Sequence, residues 1–247
     1  MNLRRITLLP DPLKKAFLEF IDPAADGLIR AGLTPNLITT LSIIVLLASG
    51  AAFALGNLRV GSALLLFSGL LDLLDGKVAR RGNMSSKFGA FYDSSMDRLG
   101  EGALFTGIAI FYMRSAMASA GERMPVLALG LCFAALTGGF LVSYTRARAE
   151  GVGIEATVGM AQRAERIILL GGPTLFFGAG PNGWLMLGIL IVLTVISWIT
   201  VFQRIWHVYD VTRGARDQGP GASKPVAAND ASGPRPLTPG PSSKAIR

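Results

Sequence analysis

Six long apolar runs, at residues 37–55, 61–74, 99–114, 125–144, 167–180 and 184–203, constrain this chain more than any other feature. The fourth reads PVLALGLCFAALTGGFLVSY and the sixth WLMLGILIVLTVISWITVFQ, neither with a charged residue. A half-buried strand would alternate apolar and polar residues, and a soluble helix would confine its apolar residues to a stripe; these runs do neither. In lipid only a helix or a closed barrel satisfies its own backbone, and a helix needs roughly 20 residues to cross. The shorter runs reach that length when neighbouring polar residues face protein rather than lipid. The pattern predicts an all-α integral membrane bundle of six transmembrane helices. Composition agrees: 16% of residues are charged, against about 25% in a soluble domain, and the mean hydropathy is +0.47.

Ahead of the first run, MNLRRITLLPDPLKKAFLEFIDPAADGLIRAG is broken by Pro10, Pro12 and Pro23 and lacks the continuous apolar core of a secretory signal. It is expected to lie at the membrane surface as one or two amphipathic segments. Phe17, Leu18, Phe20 and Ile21 would face lipid, with Lys14 and Lys15 toward head groups. The basic residues alternate between gaps. Lys77, Arg80, Arg81, Lys87 and Arg98 share one gap and Arg146, Arg148, Arg163 and Arg166 another, while the others hold little beyond Arg59, or Arg114 and Arg123. Such an excess marks the cytoplasmic side, so both termini and both basic gaps are expected in the cytoplasm, at the cell membrane. The net charge of +8 then reports topology and anionic lipid or substrate, and not nucleic acid. From about Arg213 the chain turns to Gly, Pro, Ser and Ala, a composition expected to be disordered. The expected organisation is an N-terminal segment, 1–31, a six-helix domain, 32–212, and a tail, 213–247. Cys132, the only cysteine, reads as a packing residue. His207, the only histidine, reads with Trp206 and Tyr209 as a head-group-level residue.

One stretch interrupts the apolar pattern. DLLDGKVARRGNMSSKFGAFYDSSMD, 72–97, sets four aspartates between two apolar runs. Ionisable residues at a membrane are costly, and by default functional. Asp72 and Asp75 are three apart and Asp93 and Asp97 four apart, so on helices each pair shares a face. The end of the second span and the start of the third then each present two carboxylates to a common point. A divalent cation relieves their repulsion, and an all-oxygen set selects Mg²⁺, Mn²⁺ or Ca²⁺ over zinc. Gly76, Ala79 and Gly89 lie a turn or less from an aspartate and leave room for a ligand, and Arg80 can clamp a phosphate. The plainer alternative is a cytoplasmic loop whose aspartates merely balance its basic residues.

Asp72-x-x-Asp75-Gly76-x-x-Ala79-Arg80, eight residues, then Gly89-x-x-x-Asp93-x-x-x-Asp97 matches every fixed position of the CDP-alcohol phosphotransferase signature. With the six-helix layout, the chain resembles that family over about residues 25–210. The resemblance implies transfer of a phosphoalcohol or phosphatidyl group from a CDP-linked donor to a hydroxyl, with release of CMP. It implies that Asp72, Asp75, Asp93 and Asp97 hold two divalent ions, Mg²⁺ or Mn²⁺, and that Asp97 is also the general base. Gly76, Ala79, Arg80 and Gly89 would line the nucleotide and diphosphate site. GLTPNLIT resembles the family's donor-contacting segment, with Asn36 and Thr39 as candidates, although Thr34-Pro35-Asn36 reads equally as a helix start. Ser86 is a further donor-contact candidate. The likeness also implies a homodimer.

The signature leaves the acceptor open. A phosphorylated acceptor calls for cations, and SYTRARAEGVGIEATVGMAQRAERIILL supplies Arg146, Arg148, Arg163 and Arg166, with Arg204 ending the sixth run. Positive-inside topology alone is the plainer account. SYTRARAE, QRAER and the late FQR resemble the branch of the family that makes phosphatidylinositol phosphate in bacteria, and its archaeal relatives. That likeness implies CDP-diacylglycerol as donor and inositol phosphate as acceptor. It implies Arg146, Arg166 and Arg204 on the acceptor's phosphate, and Ser143 on the phosphate or the ring. The chain departs from the branch twice: its lysine is Arg146 here, and its R-P-E-R is Arg163-Ala164-Glu165-Arg166. Glycerol 3-phosphate is the alternative acceptor, disfavoured because Ser94-Ser95-Met96 stands where its enzymes tend to carry proline-alanine. An intramembrane prenyltransferase would need two separated aspartate motifs, and a transporter would place carboxylates mid-span or in repeated halves. Here all four aspartates lie within 72–97, at span ends, and no repeat is visible.

Overall fold

The computed structural model describes residues 11–118, 124–156, 158–159 and 163–217 of the 247. Among the described residues there is no strand. Helix α1 spans Asp11–Arg30, α2 Pro35–Ala54, α3 Leu58–Arg81, α4 Lys87–Ala118, α5 Met124–Gly151 and α6 Arg163–Phe177; after a 3₁₀ turn, Pro181–Gly183, α7 spans Trp184–Asp217. Each apolar run falls largely within one helix, α2 to α7, and α4 and α7 extend well beyond theirs, to Lys87 and Asp217. The stretches Pro35–Ala54, Pro125–Gly151 and Pro181–Arg213 are long and apolar enough to cross a membrane, which marks a membrane protein. The chain divides into two compact units, 1–209 and 210–247; of the second, 210–217 is described and is helical. Helix α7 thus continues past Arg213, where the sequence predicts a disordered tail to begin. The rest of that tail and the first ten residues lie outside the described residues.

Helix α1 is continuous through Pro23 rather than two segments. Its Ile21 is 4% exposed and packs with Ala25, Leu28 and Ile29 against Leu74 and Val78 of α3. This corrects the expectation that Ile21 faces lipid; the side chains of Lys14, Lys15, Phe17, Leu18 and Phe20 lie outside the described residues. Asp22 pairs with Lys77, and Asp26 with Arg81 at 2.9 Å. Both pairs recur four residues on along both helices, so successive turns bind α1 to the charged end of α3.

Helix α2 packs on α3 and α4, α3 on α6, and α4 on α5. Small residues make the close crossings possible, as in other membrane bundles. At Gly50 of α2 a Cβ would stand 2.7 Å from the carbonyl oxygen of Ala103 on α4. Serines tie α2 to α3: Ser49 donates to the Gly61 carbonyl at 2.6 Å and Ser42 to that of Ser68 at 3.0 Å. Trp198 of α7 donates to the Ala134 carbonyl of α5 at 3.1 Å. Cys132 is buried in the main core with Phe53, Leu65, Ile108 and Leu190, a packing residue. These crossings fix the charged ends of α3, α4, α5 and α6 relative to one another.

Candidate active site

The turn between α3 and α4 is short, so the two helices form a hairpin with their charged ends side by side. Asn83 carries it at φ 53°, a left-handed conformation that asparagine visits more readily than most residues. Ser85 donates to the Ala79 carbonyl at 3.1 Å, and Ser86 Oγ accepts the Gly89 N–H at 2.9 Å, capping the start of α4. A Cβ on Gly89 would lie 3.0 Å from Ser86 Oγ and 3.2 Å from Asn36 Oδ1, so Asn36, Ser86 and Gly89 converge. A Cβ on Gly76 would lie 3.3 Å from Arg80 Nη1; the exposed Arg80 folds its head over the space that Gly76 leaves, and Ala79 stands half-buried beside it. Thr39 has a different place. Its hydroxyl is buried and donates to Asp75 Oδ2 at 2.8 Å, so Thr39 orients a carboxylate.

Asp72, Asp75 and Asp93 each offer an oxygen, all within 4.8 Å of one another. Asp93 Oδ1 is buried with no hydrogen-bond partner in the protein. A buried acceptor without a donor is uncommon, and beside two further carboxylates it makes an oxygen set that fits a divalent cation. Asp97 stands outside this trio. Its Oδ1 lies 2.5 Å from Arg163 Nη1 and its Oδ2 3.6 Å from Arg98 Nη2, while Arg163 also pairs with Asp72. Asp75, Asp93 and Asp97 lie outside the apolar runs 61–74 and 99–114, and all three titrate above the ordinary carboxylate range. Burial pushes Asp75 up to about 7; the Thr39 hydrogen bond opposes this, and the charges of Asp72 and Asp93 add to it. Burial likewise pushes Asp97 up to about 7, against Arg163 and with Asp72 and Asp93, and raises Asp93, helped by Asp72. Carboxylates that disfavour one another's ionisation are what a bound cation relieves.

Arg163 opens α6, and Arg166 follows one turn later. Asp97 and Glu101 are likewise a turn apart on α4. The two helices pair in register, Arg163 with Asp97, and Arg166 Nη2 with Glu101 Oε1 at 2.7 Å. Ser143 of α5 accepts from Arg98 Nη1 at 2.5 Å. Arg204, buried in the second half of α7, donates to the carbonyls of Val142 and Val158 and lies within the electrostatic reach of Arg146 and Arg166. Arg146 is exposed and pairs with Glu150 at 2.8 Å. Ser143 and the three acceptor-phosphate candidates, Arg146, Arg166 and Arg204, therefore gather around the second half of α5, each with a protein partner. His207 meets the Glu155 carbonyl at 3.2 Å, apart from the aspartates. Sequence reasoning passes over Glu101, counts Arg98 for topology alone, and counts Arg163 for topology and among the cations a phosphorylated acceptor calls for, without giving it a contact. The available signal was Glu101 itself, a carboxylate inside the run 99–114 that continues the four-residue spacing of Asp93 and Asp97.

A crevice of about 390 Å³ opens between α1, α3 and α6, with Ile21, Leu66, Leu70 and Ile167 among its walls and, among the described residues, Asp72 as its one charged lining residue.

Known proteins resemble this chain. Residues 32–206 match the model of the CDP-alcohol phosphatidyltransferase family. The chain is 42% identical over 190 residues to the archaetidylinositol phosphate synthase of Methanothermobacter thermautotrophicus, covering 77% of this chain and 89% of that protein. It is 34% identical over 200 residues to the phosphatidylinositol phosphate synthase of Cutibacterium acnes, covering 78% and 93%. The crystal structure of Mycobacterium tuberculosis phosphatidylinositol phosphate synthase with CDP-DAG bound aligns at a TM-score of 0.64 and 31% identity, over 76% of this chain and 92% of that one. The same enzyme in complex with manganese and citrate aligns at 0.64 and 31%, over 76% and 88%. The signature aspartates share one helix hairpin, the oxygens of three of them suit a divalent ion, and the match spans most of the chain: this is a metal-dependent transferase that belongs to the CDP-alcohol phosphatidyltransferase family.

Proposed function

We propose that the chain transfers the phosphatidyl group of CDP-diacylglycerol to a hydroxyl of inositol phosphate and releases CMP. The observation that carries this reading is the meeting of Asp72, Asp75 and Asp93 beside an otherwise apolar crevice that Asp72 also lines. A place for a charged diphosphate and a place for an acyl chain thus share one residue. The names of the relatives, archaetidylinositol phosphate synthase and phosphatidylinositol phosphate synthase, support the acceptor, and the neighbour with CDP-DAG bound supports the donor.

Divalent ions, held by Asp72, Asp75 and Asp93 with Asp97 beside them, would neutralise the diphosphate and polarise the phosphoryl oxygens. The remaining work falls to the chain. Arg80, folded over Gly76 and next to Ala79, is placed to turn its guanidinium onto the diphosphate. Asn36, Ser86 and Gly89 line a narrow polar seat for the nucleotide, and Thr39 holds Asp75 in orientation. Asp97, steadied by Arg163 and Arg98, takes the proton of the acceptor hydroxyl. The hydroxyl oxygen bonds to the phosphatidyl phosphorus while the diphosphate P–O bond to CMP breaks. Arg146, Arg166, Arg204 and Ser143 receive the acceptor's phosphate. Helices α2 to α7 make six spans within a domain of residues 32–212. The site, both termini and α1 lie on the cytoplasmic side, a reading supported by the basic residues at the site's end of the bundle.

The test is a thin-layer assay of purified protein with Mg²⁺ and CDP-diacylglycerol against inositol phosphate, inositol, glycerol 3-phosphate and serine. Product is expected with inositol phosphate alone. Product with glycerol 3-phosphate instead would move the acceptor, and a folded protein that releases no CMP with any of them would overturn the transferase reading.

A further inference from the structure

Glu101 is a carboxylate where an apolar run would ordinarily place leucine. It is 8% exposed and lies one turn beyond Asp97 on the same face of α4. A buried charge is costly unless it is well paired, and even a paired one is a poor source of stability compared with an apolar replacement. Its two oxygens are divided between two arginines. Oε1 stands 2.7 Å from Arg166 Nη2, and Oε2 accepts from Arg98 Nη1 at 2.9 Å. The same Nη1 of Arg98 reaches Ser143 Oγ at 2.5 Å. Glu101 therefore joins the half-buried acceptor arginine on α6 to the acceptor serine on α5. Space for the pair comes from Gly139 of α5, where a Cβ would collide with Arg166 Nη1 and stand 3.5 Å from Glu101 Oε2. The Nε atoms of Arg98 and Arg166 are buried without hydrogen-bond partners in the protein, so the hold on each guanidinium is through its terminal nitrogens.

We propose that Glu101 is a positioning residue for the acceptor: its carboxylate fixes Arg166 and, through Arg98, Ser143, without touching the substrate. The inference rests on the phosphorylated-acceptor reading above. Charge alone predicts the opposite sign. A carboxylate near the phosphate site repels the substrate, so if Glu101 only diluted the positive charge its removal would tighten acceptor binding. If Glu101 positions, its removal loosens Arg166 and weakens binding despite the more positive site.

The experiment compares wild type, Glu101→Gln, Glu101→Asp and Gly139→Ala in lipid nanodiscs, by steady-state transfer from CDP-diacylglycerol with both substrates varied. Glu101→Gln is expected to raise the KM for inositol phosphate about tenfold, a loss the size of one charge-assisted hydrogen bond, with the donor KM within about twofold. Glu101→Asp should recover part of the loss. Gly139→Ala leaves every charge in place and displaces the pair, so it should give the same selective rise, and it decides alone should Glu101→Gln fail to fold. An acceptor KM that is unchanged or lowered in the folded variants, or a donor KM that rises equally, overturns the proposal. A wild type that uses inositol as readily as inositol phosphate overturns the acceptor reading and this inference together. A phosphate-selective wild type with unmoved variants overturns this inference alone.

Discussion

The two charged ends of the site handle charge in opposite ways. At the α3–α4 hairpin, like charges are brought together and left incompletely paired, with Asp93 keeping a buried oxygen that meets no donor. Around the second half of α5, every arginine assigned to the acceptor already has a protein partner: Arg166 has Glu101, Arg146 has Glu150, and Arg204 has two carbonyls. The hairpin is completed by adding a cation. The arginine end takes an anion only by sharing or exchanging a partner. On the proposed function the hairpin fixes what reaction occurs, while the choice of alcohol would depend on competition between internal acceptors and an incoming phosphate. An alcohol without a phosphate offers no charge-assisted bond to offset that exchange.

The largest expected effect falls where the two ends meet. Asp97 belongs to the hairpin by sequence and to the arginine end by its pairing with Arg163 and Arg98. Asp97→Asn is expected to lower transfer by about 10²–10⁴-fold, the usual worth of a general base, while metal-dependent donor binding persists in part. CMP release and binding of CDP-diacylglycerol measure the two separately. A variant that keeps more than about a tenth of the wild-type rate would make Asp97 a partner for Arg163 and place the base elsewhere.

The next effect sharpens the contrast from the other side. Arg166→Ala should raise the KM for inositol phosphate about ten- to a hundredfold, since a hydrogen bond to a charged group is worth ~1.5–3 kcal/mol, with the donor KM nearly unmoved. Arg166→Lys keeps the charge but loses the planar fork, and should fall between. Equal rises in both KM values would put Arg166 with the donor and dissolve the division between the two ends.

That division also governs what could be read from the chain before its structure. The apolar runs located α2 to α7 because helix periodicity and lipid leave few other outcomes, and Asp72, Asp75 and Asp93 came together because their spacing is local to one hairpin. Residues whose meaning depends on distant helices were not legible. Nothing in the spacing shows that Arg163, 91 residues beyond Asp72, reaches back to it, or that Thr39 bonds to Asp75. Ile21 was assigned to lipid because an amphipathic segment has an apolar face, and the alternative, α3 as the surface that covers it, is a tertiary fact. Glu101 leaves a local signal that sequence reasoning passes over: a carboxylate inside an apolar run announces a partner, though not which one.

A smaller effect tests how far the hairpin is under strain from its own charges. Asp75 and Asp97 are raised from about 3.8 to about 7 in the folded chain. For carboxylates raised on folding, the folded state holds more protons between those values, so their contribution is fully present below about 4 and is lost as pH rises through about 7. In EDTA the protein should therefore melt several degrees lower at pH 8 than at pH 5. Mg²⁺ or Mn²⁺ should reverse this, most strongly at pH 8, where the carboxylates are ionised and bind metal best. A melting temperature in EDTA that is flat with pH would mean that the aspartates are compensated within the protein, as the arginines are.

The smallest effect has the most specific sign. Glu150 and Arg146 form an exposed pair one helical turn apart, with side chains 49% and 53% exposed, and such pairs contribute only ~0.3–0.5 kcal/mol. If Arg146 must leave Glu150 to meet the acceptor's phosphate, Glu150→Gln removes the competitor and should lower the acceptor KM about twofold, with no change in melting temperature. Arg146→Ala should raise it by more. The contrast with Glu101 is the point: two glutamates each hold an acceptor arginine, yet removing the buried one is expected to weaken binding and removing the exposed one to strengthen it. A buried guanidinium has no solvent to reorient it and depends on its carboxylate for direction, whereas an exposed guanidinium turns freely once released. A rise in KM from both substitutions would make Glu150 a second positioning residue, and no response to Arg146→Ala would leave Arg146 a residue of membrane topology alone.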